Sequence, residues 1–382
     1  MDDKGKFAIK PIRFSNINHL GTIGSDRMAT DYSLSKLLTQ NILYSTYKEA
    51  KKITDIAYLL DVNTSLIEEI VEHLEDNGFI TKVDCEKYIT NILIHDLSKE
   101  TLEKKHLIYK EYAGIVCKEY IPLLIETILS NKLKKNLYIP LNDLNVLKWT
   151  IITFALYHKF SIPEIQKSLS KFYIKQNDGS EYITFATIEH DFNLSYNENL
   201  YRSSGEVIFS YGNFTYYPFI IWIYNSYYND KFHDWSIYAE SGFMNLYDFL
   251  VERFTNYLDK NEVFDSLRSK GFVIPYTQSK KDEINMIIAK MQKGELISAL
   301  PDMPKNFITL NQNISSEIYN LCNSEYPLHL QELCSAFYAN SLSNSDLILR
   351  VIEQLLENGT LTPLSEIQKK TVNMIMFSEI LP

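Results

Sequence analysis

The stretch DVNTSLIEEIVEHLEDNGFI, residues 61–80, carries the signals that decide the fold of the amino-terminal part of this chain. The residues 63–65, Asn-Thr-Ser, are suited to begin a helix, because their side chains accept hydrogen bonds from free backbone amides. The pair 77–78, Asn-Gly, predicts its end, since glycine readily adopts the left-handed conformation that closes a helix. Between them lies an apolar stripe with helical spacing, formed by Leu66, Ile67, Ile70, Val71 and Leu74.

Two further helices and a pair of strands flank this helix in the sequence. LSKLLTQNILYSTY (34–47) and KITDIAYLLD (52–61) each repeat apolar residues with helical spacing. Beyond the Asn-Gly pair, FITKV (79–83) and KYITNILI (87–94) alternate like the two strands of a hairpin. Three helices followed by a two-stranded wing predict a winged helix-turn-helix over residues 34–95.

The third predicted helix is unusually acidic for an element that reads DNA. Residues 61–80 contain six acidic side chains and no lysine or arginine. At helical spacing Glu68, Glu72 and Glu75 share the outward face, where each carboxylate would repel a phosphate backbone. We therefore predict that this face binds a basic partner or is simply solvated, and that contact with duplex DNA is weak. The residues that could touch DNA are small polar residues and nearby cations: Lys48, Lys51, Lys52, Asn63, Thr64, Ser65, Lys82 and Lys87.

The composition excludes several other classes of protein. The chain has 382 residues, 45% hydrophobic and 23% charged, and its formal net charge of −10 means that any nucleic-acid contact requires a local basic patch. Four cysteines without a CxxC pair favour reduced thiols over a disulfide framework or a zinc site. No apolar run is long enough for a signal peptide or a membrane span. We expect a cytoplasmic protein without membrane contact, metal or cofactor.

The whole sequence predicts a multi-domain α+β protein that is mainly helical. Residues 1–33 show little periodicity and are interpreted as a linker or a loosely docked arm. Residues 96–312 are interpreted as a central α+β region. Its predicted elements are a helix at 98–131 kinked at Pro122, helices at 141–158, 161–172, 244–259 and 279–293, and a hairpin at 172–190.

The carboxy-terminal part repeats the pattern of the opening stretch. EIVEHLEDNGFITKV (69–83) aligns without gaps with RVIEQLLENGTLTPL (350–364), and the five identities include the Asn-Gly pair. LHLQELCSAFYA (328–339) precedes the second copy with helical periodicity. One interpretation is a second winged-helix-like module over residues 313–382. Independent helix pairs that end in Asn-Gly would produce the same pattern.

The sequence contains no motif of a known catalytic, phosphate-binding or zinc site, whether GxGxxG, GxxxxGK[ST], HExxH or GxSxG. Glu189, His190 and Asp191 are adjacent, so on a strand their side chains alternate between faces and do not converge on one metal. TYYPFIIWIYNSYYNDKFHDW (215–235) holds nine aromatic residues but only one lysine. This balance favours a core or a protein interface over stacking on bases.

A resemblance to a known family covers residues 35–190. LLTQNILYSTYKEAKKITDIAYLLDVNTSLIEEIVEHLEDNGFITKV (37–83), with the strand KYITNILI, resembles the region that follows the sigma-like helix-turn-helix in sigma-70-like RNA polymerase factors with a long carboxy-terminal extension. The matching features are QNIL, the Tyr47-Lys48 step, IxxIAxxL, Ile67-Glu68 with Val71-x-x-Leu74, and the KYxTN strand. Further on, NDGSEYI (177–183) resembles a hairpin and LKW (147–149) a helix core of the same extension. The resemblance implies a winged helix-turn-helix plus an α+β region, and a role in transcription. It carries over no catalytic residue.

The resemblance does not include the sigma core regions. No basic, aromatic-rich helix pair of the kind that melts promoters precedes residue 33. We therefore expect either a piece of a longer factor or a free-standing relative, and sigma activity is not implied.

The sequence is compatible with three functions. The first is a non-enzymatic, transcription-associated regulator that acts through winged-helix modules, with RNA polymerase or another transcription protein as its partner and weak or indirect contact with duplex DNA. The second is a protein-interaction scaffold with no nucleic-acid role, which the net charge of −10 favours. The third is an enzyme whose site lies in the aromatic middle; it is the least favoured, because no nucleophile, base or phosphate loop converges there.

Overall fold

The computed structural model describes residues 11–22, 32–84, 86–176, 179–195, 203–208, 219–225, 273–276, 281–370, 372 and 374–378. These residues form an α+β fold in which helices predominate, as the sequence predicts. The chain divides into two compact units. The first comprises Met1–Ile108, Ile162–Ser195 and Asn311–Ser341, and the second comprises Tyr109–Ser161, Tyr196–Leu310 and Leu342–Pro382.

The first unit contains an amino-terminal module of three helices and three short strands. The helices are α1 (Leu37–Ser45), α2 (Ile53–Leu60) and α3 (Thr64–Asp76). The strands are β2 (Lys51–Lys52), β3 (Ile80–Val83) and β4 (Lys87–Thr90), which form an antiparallel sheet in the order β2-β4-β3. The three helices and the hairpin occur in the predicted order, whereas β2 was not predicted. The module's core residues include Ile42, Ile56, Ile67, Val71 and Leu74, all of them buried.

The segment predicted as a linker or loosely docked arm contains a strand, so the prediction for residues 1–33 is wrong in this part. Strand β1 (Phe14–Thr22) pairs antiparallel with β8 (Glu181–Ile188), which also pairs in parallel with β5 (Leu93–His95). Two buried amides on α1 hold the start of the strand: Gln40 Oε1 accepts from Phe14 N at 2.9 Å, and Asn41 Oδ1 accepts from Ile12 N at 2.9 Å. Hydrophobic periodicity does not detect such polar docking.

The remaining elements of the first unit match the sequence prediction more closely. The predicted hairpin near Gly179 is present, because β7 (Ile174–Lys175) pairs antiparallel with β8. The predicted helix at 161–172 appears as α8 (Pro163–Ser170). Helix α4 (Lys99–Glu119) begins in this unit. The unit also contains α10 (Phe307–Cys322) from Asn311 onward and the whole of α11 (Gln331–Tyr338).

The second unit combines helices with a mixed sheet. The predicted kink at Pro122 is a break: α4 ends at Glu119 and α5 (Ile121–Leu129) starts with proline in its first turn. The short α6 (Asn131–Lys134) follows, and the predicted helix at 141–158 is α7 (Leu144–Lys159). The strands of this sheet are β6 (Leu137–Tyr138), β9 (Ser203–Ile208), β10 (Phe219–Asn225), β13 (Ile287–Ala289) and β14 (Met374–Ser378). Their order in the sheet is β6-β13-β14-β10-β9. Among these described strands, β13 and β14 pair in parallel and the other neighbours pair antiparallel.

The prediction of a helix at 279–293 is wrong. These residues form β12 (Lys281–Ile284), which pairs with β11 (Val273–Tyr276), and then β13. The residues of β13 are all buried, and a strand covered on both faces reads as a continuous apolar run without alternation. Helix α9 (Lys293–Ala299) begins only after it. The predicted helix at 244–259 and most of the aromatic block at 215–235 lie outside the described residues.

The prediction of a second winged-helix-like module is correct for its capped helix but not for its wing. Helix α12 (Ser345–Glu357) has 13 residues like α3, and each helix has an asparagine cap and a closing glycine with positive φ, +69° at Gly78 and +75° at Gly359. No wing hairpin follows α12 in the described residues. Instead, the Thr362 carbonyl accepts from Trp149 Nε1 at 3.0 Å, and β14 joins the five-stranded sheet. Residues 313–382 are therefore divided between the two units rather than forming one module.

Candidate nucleic-acid and partner surfaces

The register of the small sheet brings Lys52 and Lys87 directly opposite each other on its exposed face. Val83 pairs with Lys87 from the other side and is 38% exposed. Residues that pair directly across an antiparallel sheet share a face, so Lys52, Lys87 and Val83 form one row. Two like charges directly opposite each other destabilise a sheet, and an anion between them would relieve that cost. This row is a candidate phosphate contact.

Lys51 and Lys82 lie in the adjacent row, on either side of the buried Tyr88. The Lys82 ammonium lies 5.7 Å from the centre of the Tyr88 ring, within the range of a cation–π contact. Lys51 donates to the carboxylate of Glu49, and this hydrogen bond lowers the pKa of Glu49. Lys51 is thus already paired with an anion, whereas Lys82 keeps an exposed charge above an aromatic ring.

Lys48 is exposed and precedes the first strand of the small sheet. It lies beyond the end of α1, and its ammonium donates to the backbone carbonyl of Glu325. Glu325 belongs to a short 3-10 helix, Asn323–Glu325, that follows α10 in the first unit. The sequence grouped Lys48 with the sheet lysines by proximity along the chain, and a contact 277 residues away in sequence has no local signal.

The polar residues at the start of α3 are exposed, and two of them bind each other. The side-chain carbonyl of Asn63 accepts from Ser65 N at 2.9 Å and from Ser65 Oγ at 2.7 Å. The cap predicted for this position is therefore present. Thr64 is exposed between them. A residue that reads a base edge needs a side chain free to bind it, and here Asn63 and Ser65 would have to exchange their mutual hydrogen bonds for such contacts.

The outward face of α3 is acidic and exposed, as its periodicity predicts. Glu68, Glu72 and Glu75 are all exposed, while Val71 and Leu74 on the opposite face are buried. Among the described residues, none of the three glutamates forms an ion pair within 4.0 Å. The face therefore presents three uncompensated carboxylates along about two turns of helix.

Two tyrosines of the module, the half-buried Tyr44 and the buried Tyr47, form hydrogen bonds that were not predicted. Tyr44 OH donates to Asp96 Oδ2 at 2.7 Å, and Tyr47 OH donates to the Ile94 carbonyl at 2.8 Å. Burial, reinforced for Tyr44 by the hydrogen bond to Asp96, raises the pKa of Tyr44 and Tyr47 well above the usual range. Both phenols stay protonated at any physiological pH, so they act as fixed hydrogen-bond donors that hold β5 and the turn after it.

The second unit contains a shallow groove and a titratable histidine. The groove encloses about 440 Å³ and is lined by residues of α5, α6 and α9, among them Leu123, Glu126 and Lys132. On α7, the ring of His158 lies 4.4 Å from that of Phe154 and 4.9 Å from that of Tyr157. Burial lowers the pKa of His158 to about 4, and the charge of Lys293 contributes. The imidazole is therefore neutral near pH 7.

In the described part of the chain, no group of three or more His, Cys, Asp and Glu side chains is arranged to hold a metal ion. None of the helices formed by these residues is both long enough and apolar enough to cross a membrane. Comparison of the chain with protein-family models, with curated proteins and with solved structures found no match.

Proposed function

We propose that residues 34–95 form a winged helix-turn-helix and that the protein is a non-enzymatic, transcription-associated regulator of the cytoplasm. The order helix, strand, helix, helix, strand, strand in the amino-terminal module supports the first part of this proposal. The resemblance of residues 35–190 to the extension of sigma-70-like factors supports the second. Under this proposal the partner is RNA polymerase or another transcription protein.

The observation that carries the proposal is the opposite charge of two surfaces on one small module. The sheet presents Lys52 and Lys87 on its exposed face, and α3 presents Glu68, Glu72 and Glu75 without ion pairs among the described residues. Lysines that meet phosphates release counterions and so gain binding free energy, whereas carboxylates brought against a duplex gain none. The small sheet can therefore touch a phosphate backbone only if α3 stays out of the groove of the DNA.

This arrangement favours a protein partner for the acidic face. A basic surface on RNA polymerase or on another transcription protein would be attracted over about 8–10 Å at physiological salt, roughly the Debye length. Attraction between opposite charges accelerates association more than it increases affinity. Lys52 and Lys87 on the small sheet would then add weak contact with nearby duplex. A protein-interaction scaffold without any nucleic-acid role is the second candidate, favoured by the formal net charge of −10.

The double variant Glu68→Gln/Glu72→Gln separates a docking helix from a DNA-facing helix. If α3 docks on a basic protein, the variant should associate several-fold more slowly with purified RNA polymerase at low salt, because steering is lost. Its affinity for a random duplex should change no more than that of a charge-matched control. If α3 instead faces the duplex, the variant should bind DNA more tightly, because two repelling charges have been removed.

The matched control is Glu111→Gln/Glu126→Gln in the full chain. Both residues are exposed on helices of the second unit, so the net charge changes equally while α3 is untouched. Association rates would be measured by surface plasmon resonance at two salt concentrations, and duplex affinity by fluorescence anisotropy. The docking proposal is wrong if the α3 variant binds polymerase like the control and binds duplex more tightly than it.

A further inference from the structure

A segment far along the chain lies across the edge of the amino-terminal module, and we call residues 323–330 the strap. Its Glu325 carboxylate accepts three hydrogen bonds at the start of α4: from Ser98 N at 2.6 Å, from Ser98 Oγ at 2.9 Å and from Thr101 Oγ1. A carboxylate at a helix start is favourable, because it satisfies free backbone amides and complements the positive end of the helix dipole. Glu325 thus caps a helix that begins more than 200 residues earlier.

Two further residues anchor the strap to the module. Tyr326 OH lies 2.6 Å from His95 Nδ1 and 3.1 Å from Tyr338 OH, and Tyr326 is buried. His329 Nε2 lies 2.9 Å from the carbonyl of Thr90, the last residue of β4. Charge-assisted hydrogen bonds such as those to Glu325 are stronger than neutral ones. The strap is therefore held at three points around the end of the wing and the start of α4.

The same residue that caps α4 also holds Lys48. The ammonium of Lys48 donates to the backbone carbonyl of Glu325, so the position of Lys48 depends on the placement of the strap. The ammonium of Lys48 uses one of its three donors in this bond, and a phosphate that approached it would meet the negative charge that Glu325 itself carries. Lys48, Lys52 and Lys87 are all exposed, but of the three only Lys48 donates a hydrogen bond to the strap in the described part of the chain.

We infer that the strap is an autoinhibitory element that withholds Lys48 from nucleic acid. The inference rests on the proposed function, because it assumes that the module touches a phosphate backbone through its lysines. With the strap in place, the module contacts phosphate through the sheet alone. Release of the strap adds Lys48 as a further contact next to the module's sheet.

The test compares Glu325→Ala with the full chain by measuring duplex affinity as a function of salt. Each phosphate contact contributes about 0.9 to the slope of log K against log salt. The slope for Glu325→Ala should therefore be steeper by about 0.9, equivalent to an extra loss of roughly 3.5-fold in affinity over a fourfold rise in salt. Hydrogen exchange at the Ser98 amide, which loses its acceptor in the variant, should accelerate at the same time.

Lys48→Ala in both backgrounds isolates the contribution of Lys48 from the simple loss of a negative charge. In the unmodified chain it should leave the slope unchanged, and in Glu325→Ala it should remove the gain. Glu111→Ala, on the exposed surface of α4, is the charge-matched control and should not steepen the slope. Should Glu325→Ala fold poorly, Thr101→Val removes one of the three donors to Glu325 without changing charge, and should give a smaller change in the same direction.

The results also distinguish failure of this inference from failure of the proposed function. If Lys52→Ala/Lys87→Ala flattens the slope while Glu325→Ala leaves it unchanged, the module binds phosphate and the strap does not inhibit it. The inference is equally overturned if Lys48→Ala flattens the slope in the unmodified chain, because Lys48 would already be in contact. If no variant shows salt-dependent duplex binding, the proposed DNA contact and the strap's role both fall.

Discussion

At the scale of single residues, His158 couples the stability of the second unit to pH. An unfolded histidine titrates near 6.5, whereas burial on α7 lowers the pKa of His158 to about 4. Between these values the unfolded chain binds more protons than the folded one, so protonation favours unfolding. The stability due to neutral His158 is fully present above about pH 6.5 and declines as the pH falls toward 4.

We expect His158 to cost the folded protein about 2 kcal/mol at pH 5 relative to pH 7. Urea unfolding at the two pH values measures this difference, and His158→Gln, which cannot titrate, should lose most of it. Similar pH dependence in His158→Gln and in the unmodified chain would show that other groups are responsible. The free energy of unfolding of each protein at pH 5 is compared with that of the same protein at pH 7, so packing lost in the variant cancels from the comparison.

The residues of the candidate site differ in how far the sequence could predict them. The cap at Asn63 and the outward face of Glu68, Glu72 and Glu75 follow from helical spacing, and the structure places them as predicted. The hydrogen bond of Lys48 could not be predicted, because its partner Glu325 lies far away in sequence. Local pattern specifies which face of a helix a residue occupies, but a distant segment can still bind that residue.

At the scale of secondary-structure elements, two glycines that close similar helices have different surroundings. Gly78 after α3 and Gly359 after α12 both have φ in the left-handed region, which costs a non-glycine residue roughly 1–2 kcal/mol. A Cβ on Gly78 would also lie 2.4 Å from Cγ2 of Ile174 on β7, whereas a Cβ on Gly359 would meet nothing within 4 Å. The hairpin β7–β8 thus packs closely against the end of α3.

Gly78→Ala should therefore destabilise the protein more than Gly359→Ala. We expect about 1–2 kcal/mol from backbone conformation at either site, and a further 1–3 kcal/mol at Gly78 from overpacking against Ile174. Chemical denaturation of the two variants under identical conditions gives both values. The close packing of β7 on α3 is refuted if the two substitutions cost the same, and the additional variant Gly78→Ala/Ile174→Ala should recover part of the difference.

Helices were more predictable than strands because their signals are local. Helices α3, α7 and α8 follow from caps and periodicity in the sequence. Strand β13 was mistaken for part of a helix, because a strand buried on both faces lacks alternation. Strand β1 was missed, since its pairing with β8 and its bonds to Gln40 and Asn41 involve residues distant in sequence. Strand pairing depends on distant residues, so the similarity of residues 350–364 to residues 69–83 predicted the helix α12 correctly and a wing incorrectly.

At the scale of the whole molecule, the net charge determines how strongly any nucleic acid can bind. The chain carries 48 acidic and 38 basic residues, so a phosphate backbone meets a repulsive field everywhere except near local groups of lysines. Under the proposed function Lys52 and Lys87 supply two such contacts, and strong specific DNA binders make many more. We therefore expect the full chain to bind random duplex with a Kd no tighter than the non-specific range, roughly 10⁻⁴–10⁻⁶ M at physiological salt.

The variant Lys52→Ala/Lys87→Ala tests the assignment of that weak binding to the sheet. Removal of two phosphate contacts should flatten the slope of log K against log salt by about 1.8, measured by anisotropy from 50 to 200 mM salt. The charge-matched control Lys132→Ala/Lys135→Ala changes two exposed lysines of the second unit and should leave the slope nearly unchanged. Equal slopes in the two double variants would place the phosphate contacts elsewhere. A nanomolar complex with any duplex at physiological salt would contradict the expected weak binding, because two lysines on an acidic chain cannot supply that affinity without base contacts from α3.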